Sequence, residues 1–350
     1  MITGDLDRLL AARFGDGTTV AGRITSAGTW LPAPPGGMAG PGTYATPVAY
    51  ALAREQGTDP ASAAAALAGA AREAGWIAAA AVTGGGYVTV TVTPAALARV
   101  AARTVQAGPA CARSTALAGA AVPVPPGPDL ASAAGWEDAR RRLAAHLTGR
   151  LAEAAGARTF PSFHAERQAV PGRDPGGAPG PVAAALDYAG VDAIRYALAR
   201  LPPGAGARVD PCHAAAHRLD VPAYAVRYAH AHAVSVLRQA VDLGLGLGEV
   251  AEFQPRTLAH PSERALLGEL SWLPERVAGA ARRARPDVFP RYLERLAGAY
   301  FDCQEQRPAA WPGMGAGCPG LVSRLWLAAA TATALRAGLD LLGVDPPDRL

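Results

Sequence analysis

Seven histidines, four cysteines and the serines are the side chains in this 350-residue chain whose spacing could carry chemistry. His213 and His217 stand four apart, so on a helix they would share a face and could begin a metal site. No acidic residue completes a His-Glu-x-x-His pattern around them, and no third ligand is in place. His230 and His232 stand two apart and would diverge on a helix. Cys111, Cys212, Cys303 and Cys318 are scattered without a Cys-x-x-Cys pair, which indicates neither a disulfide framework nor a zinc knuckle. No serine lies in a Gly-x-Ser-x-Gly elbow. The triple glycine Gly84-Gly85-Gly86 precedes a strand-like run, so it reads as a hairpin turn and not as a phosphate loop opening a helix. The spacings supply no catalytic residue, no metal site and no cofactor site.

Arginine is what the chain has in quantity. All 33 basic residues are Arg, and lysine does not occur. A guanidinium forks phosphate oxygens and stacks on bases, which suits nucleic acid; a GC-rich coding sequence also favours Arg codons and accounts for most of the excess. The net charge is a modest +4, and from Leu201 onward 16 Arg face 15 Asp and Glu. The densest basic run is Glu275 to Arg295, with Arg276, Arg282, Arg283, Arg285, Arg291 and Arg295 against three acids. Arg140-Arg141-Arg142 reads as a solvated helix face.

The opening MITGDLDRLLAARFG has acids in its first seven positions and no long apolar run, unlike a signal peptide. The most apolar window, Leu325 to Leu335, is bracketed by Arg324 and Arg336 and is too short to cross a bilayer. A reduced, cytoplasmic protein away from membranes is expected.

The elements that would position these residues follow from periodicity. Residues 1–15 read as an amphipathic helix, Pro47 to Glu55 as a second, and a third is capped by Asp59 with Pro60 in its first turn. Residues 77–82 and 87–92 read as strands, with Val88, Val90 and Val92 facing one way and Tyr87, Thr89 and Thr91 the other. Thr93-Pro94 starts a helix to about Gln106. Residues 108–182 read as mostly connective, with linkers at 122–130 and 171–182 around one helix from about Ala134 to Ala155. Val191, Ile194, Leu198 and Leu201 then space a helix that stops at Pro202-Pro203. Asp220 is in capping position for the next, with Pro222 in its first turn and Tyr224, Tyr228 and Ala231 on one stripe, one tyrosine of which a bundle helix should bury. Leu266, Leu270, Leu273 and Val277 space one further helix, Phe289 to Tyr300 another, and Leu321 to Leu342 a last.

Two motifs in the second half carry a family resemblance. Asp192-Ala193-Ile194-Arg195 with Tyr196 resembles the Asp-Ala-Leu-Arg signature of the arginyl-tRNA synthetase anticodon-binding domain. Pro222, Tyr224, Tyr228, Ala229, His230 and Ala231 resemble that domain's Asn-Pro-aromatic run ending in Tyr-Ala-His-Ala-Arg. Val221 stands where the family has Asn, and His232 where it has Arg. The closing Leu342-Gly343-Val344 with Pro347 and Arg349 is similar to the family's C-terminus. In the first half, Gly42 to Pro47 resembles Gly-Asp-Tyr-Ala-(Ser/Thr)-Asn, and Gly84 to Thr89 resembles Gly-Pro-Gly-aromatic-x-Asn, both from the same enzymes' N-terminal additional domain.

The resemblance implies an α+β protein. A small N-terminal α/β module over 1–106 is joined, through a Pro/Gly-rich connection with one helix over 107–184, to an all-α anticodon-binding bundle over 185–350. It implies tRNA as the partner, tRNA-Arg foremost, with Tyr44, Tyr87 and Thr89 at the tRNA elbow. Tyr224, Arg227, Tyr228, His230, Arg282, Arg283, Arg291 and Arg349 would serve the anticodon arm. A class I synthetase needs a few hundred residues of Rossmann-type domain between these modules, a His-x-Gly-His signature and a lysine-bearing second signature. About 75 residues lie between them, no two His stand three apart, and there is no lysine. The expectation is a non-catalytic tRNA-binding paralogue without cofactor, metal or DNA. Two other readings stand beside it: a subunit that serves a separate enzyme using the tRNA, or a protein-interaction module that keeps the scaffold without RNA binding.

Overall fold

The computed structural model describes residues 2–13, 30–32, 40–162, 180–204, 206–306 and 320–350. Residues 171–179 of the expected second linker, and Cys318, lie outside them.

Helix α1 (Ile2–Arg13) buries Ile2, Leu6 and Leu10. Strand β1 (Thr43–Thr46), helix α2 (Val48–Gln56) and helix α3 (Pro60–Arg72) follow. The Asp59 side chain accepts from the Ser62 amide, as its capping position predicts. Strands β2 (Ile77–Thr83) and β3 (Tyr87–Val92) form the hairpin across the triple glycine, where Gly84 and Gly85 take φ of 54° and 77°. Val88, Val90 and Val92 are buried while Tyr87, Thr89 and Thr91 are half-exposed, as alternation requires. The sheet has a third strand that the sequence reading missed. β1 pairs antiparallel with β3, Tyr44 opposite Val90, giving the order β1-β3-β2. Helix α4 (Pro94–Ala107) is capped by the Thr93 hydroxyl.

The stretch expected to be connective is a folded unit. Strand β4 (Ala121–Val124), helix α5 (Trp136–Ala154) and strand β5 (Arg158–Pro161) form a β-α-β unit, and the two strands pair parallel, Ala121 opposite Arg158. α5 lies so close to β4 that a methyl at Gly149 would sit 2.6 Å from Val124 Cγ2.

The bundle comprises α6 (Pro181–Ala189), α7 (Val191–Ala199), the short α8 (Pro211–Ala215), α9 (Pro222–Asp242), α10 (Pro261–Ser271), α11 (Leu273–Arg282), α12 (Val288–Glu305) and α13 (Leu321–Leu342). The single helix expected through Leu266 and Val277 is two. It turns at Trp272, because Pro274 has no N–H to continue the ladder and sits comfortably in a first turn. α13 is long and apolar enough to cross a membrane by length and composition, but 78% of its apolar window is buried inside the protein. It is the central helix of the bundle.

One core runs through both halves, from Ile2 to Val344. At the join, α4 packs on α10 and α13. The Tyr44 hydroxyl donates to Ser271 Oγ at 2.7 Å, and its ring lies 5.0 Å from that of Trp272. Pro41 comes within 3.3 Å of where a methyl at Gly268 would be.

Candidate nucleic-acid interface

Helix α9 begins with Pro222, whose fixed φ suits a first turn. Asp220, expected as its cap, instead accepts two hydrogen bonds from Arg218, at 3.0 and 2.7 Å. The cap position falls one residue later, on Val221, without a side-chain bond. Ala223, Val226, Ala229, His230, Ala233 and Val236 form the buried stripe. The small residues on it let α9 lie close against α13.

Tyr224 and Tyr228 fall beside that stripe, and neither is core, contrary to expectation. Both are half-buried. Their rings are nearly parallel, 5.7 Å apart at 15°. The ladder extends in both directions. His217, exposed before α9, stacks on Tyr224 at 5.3 Å and 14°, and Phe301 of α12 stacks on Tyr228 at 5.9 Å and 26°. His232 leans on Tyr228 at 6.0 Å, with its Nδ1 2.9 Å from the Tyr300 hydroxyl. Four rings from three places in the chain thus make one row. Rings at such offsets attract one another and leave outer edges and faces for a further planar group.

At the start of α9 a cleft of about 330 Å³ has an apolar floor of Ala197, Leu201, Val209 and Val221, with Asp210 and His213 at its rim. A larger cleft of about 910 Å³ lies at the start of α5, beside Pro125, Pro126 and Trp136. Its acids are engaged: Glu137 with Arg140, and Asp138 with Arg141 and Arg142.

Other expected contacts are placed elsewhere. His230 is 1% exposed, and its Nδ1 lies 2.9 Å from the Pro347 carbonyl. Burial lowers its pKa below the usual range, so the neutral ring donates from Nδ1 and holds the C-terminal segment. It is a core residue without a free face. Tyr44 is likewise fully buried, fastened to Ser271, and its ring offers no surface to RNA. Arg227 is half-buried. Its Nε donates to the Asp345 carbonyl at 3.2 Å, and its Nη2 lies 3.6 Å from Asp192. Tyr87 is half-exposed and packs edge-on against Tyr50 at 5.8 Å, while a methyl at Gly86 would fall 2.9 Å from Tyr50 Cζ. Thr89 shares a 2.8 Å hydrogen bond with Thr83. Arg349 is exposed beside Arg238 at a cleft along the end of α9.

The basic run divides. Arg285 is paired with Asp287 at 2.7 Å, and Arg291 donates to the Arg200 carbonyl at 3.4 Å. Arg282 is half-buried, and Arg283 is exposed at the end of α11. The Arg276 and Arg295 guanidiniums lie 5.3 Å over Trp272 and 5.7 Å over Tyr292, and Arg295 is also 3.9 Å from the Glu269 carboxylate. Burial, then the charge of Arg295, lowers the pKa of Arg276, and Arg283 adds to this. Arg276, Arg283 and Arg295 thus form one cluster, which also holds Glu269 and is partly offset by it.

Sequence reading missed His217, Phe301 and Tyr50 as parts of these surfaces. His217 lies outside any helix, and Phe301 comes from another one, so no periodicity links either to Tyr228. Tyr50 could have been inferred only from its place on α2 opposite the glycine turn.

The arrangement is that of a helical-bundle domain with an aromatic row and a separate basic patch. Residues 226–350 match the model of the DALR anticodon binding domain. The chain is 36% identical over 167 residues to the arginine–tRNA ligase of Pseudarthrobacter chlorophenolicus, covering 47% of this chain and 30% of that protein. It is 37% identical over 170 residues to the arginine–tRNA ligase of Micrococcus luteus, with the same coverage of each. The chain thus spans about 30% of the length of the curated relatives it matches. It superposes on Thermus thermophilus arginyl-tRNA synthetase with a TM-score of 0.69 at 14% identity, over 100% of each chain, a likeness of fold. The C-terminal half carries a DALR anticodon-binding domain homologous to that of arginyl-tRNA synthetases.

Proposed function

We propose that this chain binds tRNA without charging it, as an accessory or regulatory tRNA-binding protein of the cytoplasm. Residues 185–350 take the anticodon arm, residues 1–106 take the elbow, and residues 107–184 stand where a catalytic domain would be. The observation that carries the reading is the row His217, Tyr224, Tyr228 and Phe301, on and beside a segment matched to an anticodon-binding domain. Unstacked loop bases lie on such rings, and Arg283 with Arg276 and Arg295 would meet backbone phosphates. Tyr87 and Thr89, with Tyr50, are the elbow candidates, and Arg282, Arg291 and Arg349 remain secondary ones. Activation of an amino acid would require groups that stabilise charge at the α-phosphate, and the chain has no His-x-Gly-His and no lysine for that.

The test is to crosslink RNA to the protein in its native cells and sequence what is recovered. Enrichment of tRNA, with crosslinks at Tyr224 or Tyr228, supports the reading; RNA no more abundant than on an unrelated protein overturns it and leaves a protein-interaction role. ATP–pyrophosphate exchange with arginine should be absent, and exchange that persists after removal of contaminating synthetase would refute the non-catalytic part.

A further inference from the structure

The N-terminal module holds a second place where an aromatic ring stands beside arginines. Helices α1 and α4, with the residue just before β2, line a cavity of about 400 Å³, within the size range of small-ligand sites. Asp5, Arg8 and Leu9 share one face of α1, and Ala96, Arg99 and Arg103 share one face of α4, and both faces line the cavity. The ion pair between Arg103 and Asp5 ties the two helices together, and Arg8 pairs with the same carboxylate. Arg99 is exposed and forms no hydrogen bond or ion pair among the described residues. The remaining wall is Trp76, whose carbonyl accepts from the Thr93 amide at 2.9 Å, which holds its backbone beside the start of α4. Trp76 is half-buried, and among the described residues its ring has no aromatic or cation–π partner. The cavity thus brings three guanidiniums, one carboxylate and an indole together. It lies at the opposite end of β2 from the glycine turn, about 20 Å along the strand from the Tyr87–Tyr50 pair.

We propose that this cavity binds a nucleoside 5′-phosphate, either free or as one nucleotide of an RNA, with the base on Trp76 and the phosphate on Arg99. A base is the planar partner that the indole lacks, and every base has a face to stack. A phosphate is the anion that Arg99 lacks, and a guanidinium takes two of its oxygens at once. Leu9 and Ala96 give the base apolar walls. Asp5 decides which arginine serves: it occupies Arg8 and Arg103 and repels a further anion, so the phosphate goes to Arg99. A simple carboxylate would use the arginine and leave the ring idle. The site is independent of the anticodon-arm reading, and either can fail alone.

The full chain is to be titrated with AMP by calorimetry, beside adenosine. AMP should bind saturably, and adenosine about tenfold more weakly, as loss of a charge-assisted hydrogen bond implies. Trp76→Ala should weaken AMP binding roughly 5- to 150-fold, the loss of one stacked base. Arg99→Ala should bring AMP down to the affinity of adenosine and leave adenosine itself unchanged. Tyr228→Ala, which alters the row on α9, should bind AMP like the parent. The absence of saturable AMP binding overturns the proposal. So does a folded Trp76→Ala protein, or an Arg99→Ala protein, that binds AMP within twofold of the parent at matched salt. Should Trp76→Ala fail to fold, Arg99→Ala decides alone, because that position is exposed. Competition names the source of the nucleotide: a short single-stranded RNA that displaces AMP supports a nucleotide of RNA as the occupant, and one that leaves AMP bound supports the free nucleotide.

Discussion

Replacing Tyr228 by Ala probes the aromatic row at its most connected point. The ring has three neighbours, Tyr224 at 5.7 Å, Phe301 at 5.9 Å and His232 at 6.0 Å. Such pairs contribute about 0.5–1.5 kcal/mol each when buried. Tyr228 is only half-buried, so the fold should lose about 1–2 kcal/mol and remain formed. An RNA base stacked on the row would lose about 1–3 kcal/mol. That corresponds to roughly 5- to 150-fold in dissociation constant. Fluorescence anisotropy with an anticodon stem-loop RNA at several salt concentrations measures this directly. The slope of log affinity against log salt should not change, because stacking releases no counterions. Tyr228→Phe keeps the ring and should bind like the parent. A folded Tyr228→Ala protein that binds within twofold of the parent at matched salt refutes the row as a base platform. So does a Tyr228→Phe protein as weak as the Ala variant, because the hydroxyl would then be the determinant.

Arg283→Ala, at an exposed position, should weaken RNA binding and reduce the magnitude of the salt slope by about 0.7–0.9, as loss of one phosphate contact does; salt-titrated anisotropy checks it. Arg227→Ala should lower the melting temperature as well as affinity, because it frees the Asp345 carbonyl and Asp192, and thermal melts beside binding curves separate the two effects. Glu263→Ala should destabilise the bundle by about 3–5 kcal/mol, since it leaves Arg324 unpaired against a buried site. The Glu263 carboxylate is 0% exposed and accepts both from Arg324 Nε at 2.8 Å and from the His260 amide at 3.1 Å. Urea denaturation of parent and variant measures that loss.

Local signals were legible wherever one side chain acts on its own segment. Asp59 and Thr93 cap the helices they precede, and the valines of β3 alternate, because those interactions span two to four residues. Three features depended on distant partners instead. β1 was invisible in four residues of TYAT until β3 stood beside it. Tyr44 matched a motif placed at the tRNA surface, yet the packing of Ser271 and Trp272 against it makes it the tie between the two halves. The ring row needs His217, α9 and α12 together, so a single helical wheel could only suggest that one tyrosine was buried. The prolines at 122–130 misled for a different reason. They read as a linker by composition, and proline does remove a ladder donor, but that penalty belongs to central strands. Among the described residues β4 has one neighbour, β5, so half of its backbone groups point away from the pair and need no partner in it. Pro123 sits opposite Phe160 in such a strand without breaking it. Composition marks where a chain cannot form a central strand; at an edge, the same prolines discourage a further strand from joining.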